Sequence, residues 1–64
     1  MTADDARDRV TEARRALDRA MRALSVPGPD WGRAARAARE CERACHALHS
    51  VCWLETIRRE TWDE

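Results

Sequence analysis

The sequence predicts an all-α fold: an antiparallel helical hairpin with a longer second helix, dimerising into a four-helix bundle. Three observations predict it. Strong helix formers, mainly Ala, Arg, Leu and Glu, fill the chain on both sides of a single interruption. That interruption, Ser25-Val26-Pro27-Gly28-Pro29-Asp30, sets two Pro around a Gly, which a helix interior does not accept. Apolar residues recur three and four apart on both sides of it, with no strand-like alternation. The 64 residues form one domain, with no room for a second core.

The first helix is expected over residues 3–24. Thr2 suits the N-cap, and Asp4, Asp5 and Asp8 suit the positive end of the helix dipole. Ala6, Val10, Ala13, Leu17, Ala20 and Leu24 give a heptad seam, widened by Ala16 and Met21. Asp5 with Arg9 and Asp18 with Arg22 are favourable i,i+4 pairs. The connector covers residues 25–30. The second helix starts after Asp30, a good N-cap, and is expected over residues 31–61. Its seam reads Trp31, Ala34, Ala38, Cys41, Cys45, Leu48 and Cys52. Arg33, Arg36, Arg39 and Arg43 fall on the other side, as a solvated basic stripe.

Two seams of matching period on either side of a tight connector make a hairpin, and the many Ala make it a thin one. A two-helix unit buries one stripe per helix, so two hairpins packed face to face complete a core. At about 1.5 Å per residue the helices are roughly 33 Å and 48 Å long. Pairing counted from the connector uses up the second helix near Cys52, leaving the remainder as an overhang that carries Trp53, Leu54, Ile57 and Trp62. An exposed apolar stripe of this kind marks a contact surface, and Trp is enriched at interface hot spots. The stripe packs on a second copy of the chain, folds back as a short third helix, or docks on a larger partner protein.

The second helix also carries a cysteine row. Cys41, Cys45, His49 and Cys52 fall on one side of a helical wheel, and thiolate with imidazole suits Zn²⁺ or Cu(I). Over Cys41 to Cys52 the row locally resembles the Cys-rich four-helix-bundle copper-storage proteins, which line helix interiors with Cys at heptad spacing. The first helix has no Cys. The competing reading is packing: free Cys is a small hydrophobe, placed where a seam wants small residues. His46 points away from the seam, towards the side shared with Trp53.

Composition bounds the function. Twelve basic and twelve acidic side chains cancel, which speaks against a general nucleic-acid binder. Arg without Lys, together with twelve Ala, points to GC-rich coding and a bacterial source. The start lacks the basic and apolar regions of a signal peptide, and no apolar run is long enough for a membrane. A cytoplasmic setting with reduced Cys is therefore expected. No phosphate loop, Ser/His/Asp set or carboxylate cleft is present in the pattern. The expectation is a non-enzymatic interaction module without cofactor, an accessory or regulatory subunit anchored by Trp53, Leu54, Ile57 and Trp62. The alternative is a thiol-based Zn or Cu(I) bundle using Cys41, Cys45, His49 and Cys52. A further one is a substrate peptide of a modifying enzyme.

Overall fold

The computed structural model describes residues 2–62, with the side chains of residues 2–61. It contains two helices, α1 (Ala3–Leu24) and α2 (Trp31–Trp62), packed against each other along a rod of 57 × 16 × 12 Å. No described helix is long and apolar enough to cross a membrane.

Both helix starts are built as their residues dictate. The Thr2 hydroxyl accepts from the Asp5 backbone N–H, and the Asp5 carboxylate accepts from the Thr2 N–H at 3.1 Å, a reciprocal capping box. This occupies Asp5, so Arg9 turns forward to Glu12 instead of back to Asp5. At α2 the Asp30 carboxylate accepts from the Arg33 N–H at 3.0 Å. The connector is closed by the Asp30 N–H bonding to the Ala23 carbonyl at 3.0 Å. Gly28 takes φ +82° there, a left-handed conformation in which a Cβ is strained.

The interior corrects the expected seams. The buried residues are Ala13, Ala16 and Ala23 of α1 with Ala34, Ala37 and Ala44 of α2. Half-buried Ala6, Ala20, Cys41, Leu48 and Val51 continue the same stripes. Val10, Leu17, Met21 and Leu24, expected in the α1 seam or on its edge, are exposed, as are Trp31, Ala38, Cys45 and Cys52 of the α2 seam. In α1 a row of Ala lies beside a row of larger side chains; in α2 the inward row, mostly Ala, continues into Cys41, Leu48 and Val51, beside an outward row of Trp31, Ala38, Cys45 and Cys52. The Ala rows face each other because small residues let the backbones approach, which a Leu or Trp at the same positions prevents.

The register is also offset from the expected one. Arg19 meets Glu40 across the helix pair, so sixteen residues back along α1, Ala3 lies opposite Thr56. Thr2, Ala3 and Ala6 accordingly share a groove with Cys52, Glu55, Thr56 and Arg59. Pairing extends about one turn beyond Cys52. Counting from the connector missed this by placing Leu24 opposite Trp31.

Candidate functional site

The Arg19–Glu40 ion pair fixes how the two flanks of the hairpin are arranged. At about 100° per residue, Glu12, Arg15 and Arg19 lie on one side of the α1 alanine row, and Arg33, Arg36, Glu40 and Arg43 lie on one side of the α2 row. The pair places these charged flanks on the same face. Arg9, Glu12, Arg15, Arg19, Glu40 and Arg43 line one open groove there. The basic stripe expected on α2 alone is thus part of a mixed-charge face shared by both helices. The groove nearest the connector joins Arg19 and Arg22 to Arg33 and Arg36, with Asp30 and Glu40 between them.

The opposite flanks share the other face. Val10, Leu17, Met21 and Leu24 come from α1, and Trp31, Ala38, Cys45 and Cys52 from α2. Leu17 is 57% exposed and Trp31 71%. Among the described residues no large apolar side chain is fully buried. Each such group gains about 1.5–3 kcal/mol on full burial, and the hairpin leaves part of that gain unrealised along this face. Sequence reasoning found these residues but assigned them to the wrong partner. The readable signal was the second row beside them, all Ala in α1.

The anchors Trp53, Leu54 and Ile57 form a separate patch. They do not stand beyond α1, as expected of an overhang. They lie alongside its first turns, on the side of α2 turned outward from it, and are 55%, 60% and 41% exposed. The His49 ring stacks on Trp53, with centroids 6.5 Å apart and planes 4° from parallel. The side chain of Trp62 lies outside the described residues.

The cysteine row is split. Cys41 and Cys45 bring their Sγ atoms to 4.0 Å. Cys52 stands one heptad further, about 10 Å along the axis. His49 is drawn to Trp53 at the outer edge. Among the described residues no three His, Cys, Asp or Glu side chains converge as a metal-ligand set within the chain. Burial against the helix seam pushes the Cys41 thiol up from its ordinary value, helped by the neighbouring Cys45 and the Glu42 carboxylate. A protonated thiol is a poor nucleophile, so the shift at Cys41 is opposite to that of an activated cysteine.

No family model, curated protein or solved structure matches this chain.

Proposed function

We propose that this chain is a small, non-enzymatic helical interaction module that pairs with a second copy of itself through its apolar face. The observation that carries this reading is the exposure of Val10, Leu17, Met21, Leu24 and Trp31 along one face, opposite a charged one. The surface area supports the choice of occupant. The chain exposes 5516 Å², whereas a compact folded chain of 7.4 kDa exposes about 4,200 Å². The excess, about 1,300 Å², exceeds the roughly 800 Å² that each partner buries in a standard interface. A second copy suits the face by shape as well. Larger side chains of α1 lie beside Ala38 and Cys45 of α2, so a two-fold arrangement sets large groups of one copy against small groups of the other. The product is a four-helix bundle with its charges outward.

Pairing by this face leaves Trp53, Leu54 and Ile57 uncovered, because they point outward from α2. That patch is the surface offered to a larger partner protein bearing an apolar groove. The role is then that of an accessory or regulatory subunit.

Light scattering after size exclusion, over a range of concentrations, tests the reading. Twice the chain mass is expected for the native sequence, and the single-chain mass for Leu17→Glu with Leu24→Glu. A native chain that stays monomeric throughout sinks the self-pairing. The variant Trp53→Ala with Ile57→Ala is expected to keep both helicity and dimer mass. If it dissociates the dimer, the outer patch belongs to the self-interface and is not a partner site.

A further inference from the structure

We propose that two copies of this chain close a thiolate site for a soft d¹⁰ cation, Zn²⁺ or Cu(I), built from Cys41 and Cys45 of each copy. The inference rests on the self-pairing described above. Four observations lead to it. The Sγ atoms of Cys41 and Cys45 are 4.0 Å apart, well beyond a disulfide. In a tetrahedral site with Zn–S of about 2.3 Å, two sulfurs stand about 3.8 Å apart, so the pair already has the span of one edge. The two residues straddle the direction of the bundle interior. Cys41 is half-buried at the edge of the Ala row, and Cys45 is exposed towards the apolar face. They also lie near mid-height: with Ala3 opposite Thr56, Leu24 stands opposite Ala35, and the paired stretch of α2 has its midpoint beside Cys45.

A two-fold axis along the bundle, the arrangement that sets α1 of one copy against α2 of the other, brings the second Cys41–Cys45 pair to the same level by symmetry. Cys52 stands about 10 Å along the axis from Cys45, away from the paired sulfurs. One chain supplies half a ligand set, so the cation binds the pair of chains. Binding displaces the thiol protons and leaves four thiolates on the ion, with no change in oxidation state.

Native mass spectrometry of the reduced full chain tests this, first in chelator and then with Zn²⁺ alone or Cu(I) alone. The expected result is a dimer in chelator that gains metal with either ion. Co²⁺ in place of Zn²⁺ is expected to show intense thiolate charge-transfer and tetrahedral d–d absorption. Cys45→Ser is expected to abolish binding while the dimer mass persists, and Cys52→Ser and His49→Ala to leave it unchanged. A dimer that takes up neither ion overturns the site and leaves the self-pairing standing. A monomer under every condition overturns both. Metal held by single chains, or lost with Cys52→Ser but kept with Cys45→Ser, overturns the assignment of ligands.

Discussion

Ala16 has no exposed surface, while Leu17, the next residue, leaves 57% of its own in solvent. One peptide bond therefore separates the tightest point of the helix pair from the middle of its apolar face. A helix turns about 100° per residue, so adjacent positions serve different neighbours. The smaller of the two is taken by the contact within the chain. The larger is left for a contact outside it.

Ala16→Leu is expected to destabilise the hairpin by about 1–3 kcal/mol, because a larger side chain at the closest approach forces the helices apart. Urea unfolding followed by circular dichroism measures this. An unchanged midpoint means that the helices do not approach at Ala16.

Leu17→Ala is expected to act on assembly. The side chain touches little within its own chain, so its loss weakens pairing by about 1–2 kcal/mol, roughly a tenfold rise in dimer dissociation constant. Sedimentation equilibrium reads that shift. A loss of helicity at high concentration, with no change in association, contradicts the assignment of this face.

Gly28→Ala is expected to cost about 1–2 kcal/mol, from the left-handed backbone alone. No atom lies within 4 Å of the added Cβ, so nothing but conformational strain contributes. The same substitution at Gly32, inside α2, is expected to stabilise by up to about 1 kcal/mol through helix propensity. Thermal melts of the two variants are predicted to move in opposite directions.

Alkaline pH is expected to weaken the fold through Cys41. Burial raises its folded-state value, so the folded chain holds the thiol proton more tightly than the unfolded chain does. Its stabilising contribution is complete below the ordinary thiol range and is lost as pH rises through the raised value. Melting temperatures of the native chain and of Cys41→Ala, compared across that range, are predicted to converge at the upper end. Curves that stay parallel refute the linkage.

The helices themselves were legible from particular residues. Thr2 with Asp5, and Asp30 before Arg33, mark the starts, and Pro27-Gly28-Pro29 marks the break. The candidate surfaces were legible as lists of residues but not as places. Trp53, Leu54 and Ile57 were readable as a patch, yet the reason for their exposure was misread. It is their direction on α2, and not the end of α1. Cys41 and Cys45 were readable as neighbours, but so were Cys52 and His49. The 4.0 Å contact and the stacking of His49 on Trp53 separated them.

Local chemistry by itself determined the two helices, their caps and the turn, because each depends on residues within four or five positions of one another. It also determined that each helix carries two apolar rows. Which row faces inward was decided only when the helices packed. Choosing between an Ala row and a Leu, Val and Cys row is a question of how near two backbones can come, and that distance belongs to neither helix alone. The same packing set the register through Arg19 and Glu40.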